Sequence, residues 1–500
     1  MFPSYLTRLR TFSVLAFLVP LVLRAVPEIL MGPYIVGFDT LGYYVPNVLM
    51  WLGEGVDFWR LIAVGPLLYL MLLGATSVGI PIVVSLKVLP PLIHGLLALA
   101  IFFYARNAFS WSPRKSLLVA FFATSYFVAL RISWDMLRNE LGLMFLFVAL
   151  IFLQRNGDHW KHSLYLSLAM ISVVLAHPLV AVVLLVIVAA SSMRSHLEGK
   201  PSETRRLVVS SLPAVLSFSV MAFANYVVSS GFSFVSGFPE IESKGWLALF
   251  GFSSYLDMMV NNLGFLVFCY LPLLPLVILG ARRFRSNLQI KAWISWILVA
   301  FFSALISPTA FIPGSYRWAL MLSYPLAFYA TEAIVNLRVN ICQISIGLML
   351  TTLAVGFLVL PNETPFPYYA MFPYHGPTSM LQNTVSLSDC QDTIEVLQWL
   401  ADNMHDDVNL LAHDAFYGWS LLALDESRVV RIGYDDPERI ALEIMQNASA
   451  KHLYLIWWTN GEGWHGQPLV PSSFKEVYES GRIAAYTYEP AIYHDLSDSN

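Results

Sequence analysis

Eleven apolar stretches occupy most of the first 360 residues. They are Thr11–Met31, Ile82–Ala105, Ser116–Ser133, Leu137–Leu153, Ser163–Ala176, Pro178–Met193, Leu207–Ser229, Asn261–Ala281, Lys291–Ser307, Trp318–Asn336 and Ile341–Leu360. Crossing the hydrocarbon of a bilayer as a helix takes about 20 apolar residues. The pattern therefore predicts a polytopic helical membrane protein. Composition agrees: 12% of residues are charged, about half the share of a soluble domain. A net charge of −4 gives no basic surface of the kind nucleic acid requires. The cysteines Cys269, Cys342 and Cys390 are far apart and form no metal-ligand spacing. Arg8 and Arg10 precede the first apolar run, which reads as an uncleaved span.

The segment Pro66–Gly79, "PLLYLMLLGATSVG", is apolar but short. Loops rich in Lys and Arg stay in the cytoplasm. If Pro66–Gly79 does not cross, the clusters Arg8/Arg10, Arg106/Arg114/Lys115, Arg155/Lys161, Arg194/Lys200/Arg205/Arg206, Arg282/Arg283/Arg285/Lys291 and Arg338 all fall inside. If it does cross, every later loop inverts and the bias is wrong. The expected topology has a cytoplasmic N-terminus and a first outer loop over residues 32–81 that carries surface helices. Leu41, Tyr44, Val48, Trp51 and Leu52 recur there at helical spacing, as expected of an interfacial anchor.

The membrane module is expected to span residues 1–360, followed by a Pro-rich linker at 361–388. Residues 389–500 read as an extracytoplasmic α/β domain. "VNLLAH", "RVVRIG", "HLYLIWW" and "RIAAYTY" are its expected strands, alternating with helices. Such alternation favours a mainly parallel sheet.

The outer face gathers the residues that could carry chemistry. Asp39 stands in "GFDTLG" of the first outer loop, with no basic residue near it in sequence. Arg131, Asp135, Arg138 and Glu140 cluster around "SWDMLRNELGL". His177 lies at the turn "LAHPLV", and Arg317 opens a late span in "GSYRWALML". Charges near hydrocarbon are costly and usually face a cavity or pair. A carboxylate can deprotonate an acceptor hydroxyl, and arginines can hold a phosphate leaving group. Each residue also has a structural explanation: a salt bridge, a capping histidine, a snorkelling arginine or a turn-forming aspartate. In the outer domain, His413, Asp414 and Tyr417 lie at a strand end, where α/β sheets bind ligands. Trp464 stands with Glu462 and His465 in a Gly-rich loop.

The order of these parts resembles the GT-C superfamily of integral-membrane glycosyltransferases. The shared features are an acid in the first outer loop, "GPLLY" before a further span, the cytoplasmic "ARNAF" and "SPRKS", an acid after the third span, and an outer soluble domain. The resemblance covers Thr11 to about Leu360. Its nearest branch holds protein O-mannosyltransferases, bacterial aminoarabinose transferase and archaeal dolichyl-phosphate-mannose-dependent enzymes. It implies a lipid-phosphate-linked sugar donor and transfer with inversion to an acceptor hydroxyl of a glycan, lipid or protein. Asp39 matches the catalytic acid. Arg317, with Arg138 and Arg131, would bind the donor phosphate. Asp135, Glu140 and His177 would support the site or hold a divalent cation, Mg or Mn, which the chemistry does not require.

Two departures narrow the expectation. Asp39 is followed by Thr40, where protein O-mannosyltransferases pair two acids. Neither "LAHDAFYGW" nor "IWWTNGEGW" matches the WWDYG motif of oligosaccharyltransferase. Transfer of one sugar, a hexose such as mannose, is therefore expected over transfer of an oligosaccharide. Two rival classes remain open. One is a transporter or flippase of lipid-linked glycans, for which Lys87, His94 and Glu332 are the charged groups within or near spans. The other is a scaffold with an outer binding domain.

Overall fold

The computed structural model describes residues 2–154, 160–229, 255–306, 315–336, 341–360, 379–405, 408–433, 435–447, 452–459 and 470–489. Its contacts divide the chain into two compact units. One comprises Met1–Gly32 and Val56–Met380, the other Pro33–Gly55 and Leu381–Asn500.

The larger unit is a helical bundle. Its helices are α1 (Phe2–Leu30), α3 (Phe58–Ala63), α4 (Pro66–Ser77), α5 (Ile82–Phe109), α6 (Pro113–Ser125), α7 (Phe127–Asp135), α8 (Leu137–Leu153), α9 (Trp160–Ala176), α10 (Pro178–Leu197), α11 (Pro201–Ser229), α12 (Tyr255–Tyr270), α13 (Leu274–Ala281), α14 (Leu288–Ile306), α15 (Ser315–Met321), α16 (Ser323–Asn336) and α17 (Ile341–Val359). Among the described residues five helices are long and apolar enough to cross a membrane, or seven spans if each of two bent pairs counts as one. The protein is an integral membrane protein. Each of the eleven expected stretches contains helix over its described residues, with internal breaks at Tyr126, at residues 271–273 and at Leu322.

The expected stretch Ser116–Ser133 is not straight: α6 and α7 meet at a 60° bend. Tyr126 is extended at the joint, and its hydroxyl donates to the Cys269 carbonyl. A 70° bend separates α12 from α13, in a stretch holding Pro272 and Pro275. His177 breaks α9 from α10 because a residue before proline is pushed out of the helical region. The short α4 has 12 residues, about 18 Å at the helical rise, well under the hydrocarbon thickness. Helix α5 packs along α1 and α8, and α9 lies against α8 and α11.

The smaller unit is built on a five-stranded sheet of order β2-β1-β3-β5-β4. The strands are β1 (Val408–His413), β2 (Val429–Gly433), β3 (His452–Trp458), β4 (Phe474–Ser480) and β5 (Ile483–Tyr488). Strand β1 runs parallel to β2 and β3, and β5 pairs antiparallel with β3 and β4. Helices α18 (Asp389–Asn403), α19 (Asp414–Ala423) and α20 (Pro437–Asn447) accompany the sheet. Cys390, Thr393, Val396, Leu397 and Leu400 form the buried stripe of α18, at the three- and four-residue spacing of an amphipathic helix. Of the expected linker 361–388, residues 361–378 lie outside the described residues. Its remaining part includes a bridge between Gln382 and Ser386.

The first-loop segment Pro33–Gly55 groups with this sheet unit. It carries a π-helical turn (Thr40–Tyr44) and α2 (Val45–Gly53), both packed on α19. This corrects the expectation of an aromatic membrane anchor. Leu41, Tyr44, Val48 and Trp51 are buried, and of that stripe Leu52 is exposed. The helical spacing is real, but its apolar face packs into protein.

Candidate functional site

In the sheet unit, Asp39 is the residue before the π-helical turn. Its backbone is helical and its side chain makes no capping hydrogen bond to that turn. Single π-turns are rare and often mark functional positions. Gly37 adopts φ +96°, which a side chain would strain. Its N–H donates to the Gln382 carbonyl at 3.0 Å. The buried Asn383 Nδ2 donates to the Ile35 carbonyl at 3.0 Å. Tyr34 donates to Gln391 at 2.9 Å. Three bonds from distant segments thus fix the loop that presents Asp39.

His413 and Asp414 lie at the carboxyl end of β1. His413 caps α19, its Nδ1 accepting from the Ala415 N–H at 3.2 Å. Burial pushes His413 down to about 4, with Asp414 opposing and Arg431 assisting. Asp414 accepts from Arg431 Nε at 2.6 Å. Trp464, Glu462 and His465 lie outside the described residues.

In the bundle unit the expected residues form three groups. In the first, Arg131 pairs with Asp135 at 2.6 Å, one turn apart on α7. The fully buried Arg24 donates to the Ser133 carbonyl at 3.0 Å and pairs with Glu28 at 2.9 Å. Lys87 donates to the Glu28 carbonyl at 3.0 Å.

The second group contains Arg138, His177 and Arg317. Arg138 donates to the Val64 carbonyl and lies over the Tyr69 ring. Arg317 donates from Nε to the Tyr316 hydroxyl at 3.0 Å. His177 is buried, and a Cβ on Gly142 would come within 3.2 Å of it. Burial first, then the charges of Arg138 and Arg317, push His177 well below its ordinary value. A neutral imidazole beside two arginines leaves a patch suited to an anion such as a phosphate.

The third group is a pair inside the bundle. Glu140 on α8 meets His94 Nδ1 on α5 at 2.5 Å, and both side chains are fully buried. The other charged groups flagged within spans are also paired: Lys87 with Glu28, and Glu332 with Lys115 at 2.5 Å. A cation does not fit this donor set well, since Arg131 engages Asp135 and His94 engages Glu140. Among the described residues no three ligating side chains gather.

No protein-family model matches the chain, and no curated protein does. Solved structures match it along nearly its whole length. ArnT from Cupriavidus metallidurans in the apo state gives a TM-score of 0.58 at 13% identity, covering 95% of this chain and 97% of that one. The chain has the GT-C fold. The same ArnT bound to undecaprenyl phosphate gives 0.53 at 13% identity, over 98% and 99% of the two chains. The Archaeoglobus fulgidus oligosaccharyltransferase in complex with zinc and sulfate gives 0.46 at 14% identity, over 88% and 67%.

Sequence reasoning missed Arg431 and Tyr43. Arg431 lies in "RVVRIG", where nothing local marks it as the partner of Asp414, seventeen residues away. Tyr43 reads as one of several first-loop aromatics.

Proposed function

We propose that this chain transfers a single sugar, a hexose such as mannose, from a polyprenyl- or dolichyl-phosphate carrier to an acceptor hydroxyl on the outer membrane face. One observation carries the reading: over nearly its whole length the chain shares the fold of ArnT, solved bound to undecaprenyl phosphate. Arg138 and Arg317 lie near enough to the buried His177 for their charges to act on it.

The chemistry assigns each group a task. Asp39 takes the proton of the acceptor hydroxyl. The acceptor oxygen bonds to the anomeric carbon from the side opposite the phosphate. The bond from that carbon to the phosphate oxygen breaks, and its electron pair leaves with the carrier. The linking phosphate, a singly charged diester, becomes a monoester of higher negative charge. Arg138 and Arg317 meet that growing charge, which is where fixed cations lower a barrier most. Asp135 orients Arg131 at the same end of the bundle. In this topology the N-terminus is cytoplasmic and the sheet unit extracytoplasmic.

The test is purified protein in proteoliposomes with labelled polyprenyl-phosphate hexoses. Transfer with inverted anomeric configuration is expected. Retained configuration would contradict the single displacement, and movement of the carrier across the bilayer with no transfer would favour a flippase.

A further inference from the structure

The sheet unit holds a second cluster that the transfer chemistry does not use. Arg431 leaves β2 beside Ala412, near the carboxyl ends of the parallel strands β1 and β2. Its Nε is tied to Asp414 at 2.6 Å; the Asp414 side chain is 8% exposed and that of Arg431 36%. Among the described residues the other guanidinium nitrogens make no hydrogen bond. The guanidinium lies 5.8 Å from the Tyr43 ring centre and 5.5 Å from that of Tyr417. Both tyrosines are half-buried. They come from different segments, the π-helical turn and α19. Two more carboxylates adjoin. Glu426 feels the charge of Glu54, and Tyr417 feels both.

A surface ion pair alone would need none of this. Here a buried aspartate holds one edge of a part-exposed arginine that also lies near two aromatic rings. Aromatic faces take the C–H face of a pyranose ring, and their tips remain polar. Guanidinium and carboxylate pairs take adjacent hydroxyls by fork-like hydrogen bonds. The local charge selects further. Arg431 is the one cation named here, against Asp414, Glu54 and Glu426, so an anionic ligand would meet net repulsion. That disfavours a phosphate or a uronic acid and favours a neutral carbohydrate. Tyr43 stands one turn beyond Asp39 in the same segment.

We infer that Arg431, Tyr43 and Tyr417, with Glu426 and Glu54, form a subsite for a neutral glycan acceptor. The inference rests on the proposed transfer reaction and narrows its acceptor: the enzyme extends a sugar chain.

The test measures binding of a neutral manno-oligosaccharide and of its uronic-acid counterpart to the full chain in nanodiscs, by saturation-transfer NMR. The wild type binds the neutral glycan more tightly than the acidic one. Tyr417→Ala and Arg431→Ala each weaken binding at least about tenfold, the loss expected of a central aromatic or arginine contact. Tyr417→Phe keeps the ring and retains binding. Hydrogen exchange across α19 checks that each variant is folded. Absence of neutral-glycan binding to the wild type, preference for the acidic glycan, or binding indifferent to Tyr417→Ala in a folded protein overturns the subsite. Sugar transfer to a lipid or peptide without any glycan binding removes the subsite and leaves the transferase. Glycan binding that Tyr417→Ala abolishes, in a chain that transfers no sugar, removes the acceptor role along with the transferase.

Discussion

A Cβ placed on Gly418 would overlap the carbonyl oxygen of Leu41. Helix α19 thus touches the backbone of the π-helical turn directly, and only glycine permits the approach. The obstacle is backbone, which cannot swing away as a side chain would. Gly418→Ala should cost roughly 1–3 kcal/mol, the range for overpacking a tight contact. The turn that carries Asp39 should lose order first. Hydrogen exchange over residues 35–52 checks this. Unchanged protection there would mean that the contact does not hold the turn.

The buried Glu140–His94 pair predicts a different pattern. Removing one partner of a buried hydrogen-bonded pair leaves the other unsatisfied and costs about 1–3 kcal/mol, whereas replacing both with apolar groups of similar shape is often close to neutral. Glu140→Leu should therefore destabilise strongly, and His94→Leu added to it should recover most of the loss. Thermal unfolding of the double-mutant cycle in detergent reads the coupling. Additive losses would contradict the pairing and return Glu140 to the candidates for direct substrate contact.

Acid should weaken the sheet unit through His413. Its ordinary value is 6.5, and the folded protein holds it at about 4. Between those values the unfolded chain binds a proton that the folded chain refuses, so stability rises with pH across the window and is lost as pH falls through it. The full effect is on the order of 3 kcal/mol. His413→Asn keeps a capping oxygen for α19 and removes the titration. Proteolysis of the full chain from pH 7 to pH 4 should show steep acid lability in the wild type and a flatter profile in the variant. Equal profiles would remove His413 from the cause.

Arg317→Ala should weaken the donor more than the acceptor. A charged hydrogen bond to a phosphate is worth about 1.5–3 kcal/mol, so the donor KM should rise roughly tenfold or more while the acceptor KM holds. Arg317→Lys should recover part of it, because lysine keeps the charge but loses the planar fork. A matching rise in both KM values would point to a folding defect instead.

Much of this was legible in the chain because its signals are local. Apolar runs near bilayer length mark the helices, and Pro178 marks the break at His177. The charges Asp135, Arg138 and Arg317 stand out against apolar neighbours. The bend at Tyr126 has no proline to mark it, whereas Pro272 and Pro275 do mark the one after Tyr270 inside what otherwise reads as one apolar span. Strand β4, "FKEVYES", hid behind its charges because most of its residues face out. The aromatic stripe from Leu41 to Trp51 was misread because periodicity shows a buried face without showing what buries it. Long-range partners such as Asn383 with Ile35, 348 residues apart, leave no local trace.

The most direct measurement compares sugar transfer by wild type and Asp39→Asn in the same proteoliposomes, with matched folding and a saturating donor. Asparagine keeps the size and hydrogen bonding but cannot take a proton. If Asp39 is the general base, transfer falls at least ~10²-fold while donor binding persists. Transfer unchanged by Asp39→Asn would contradict that role.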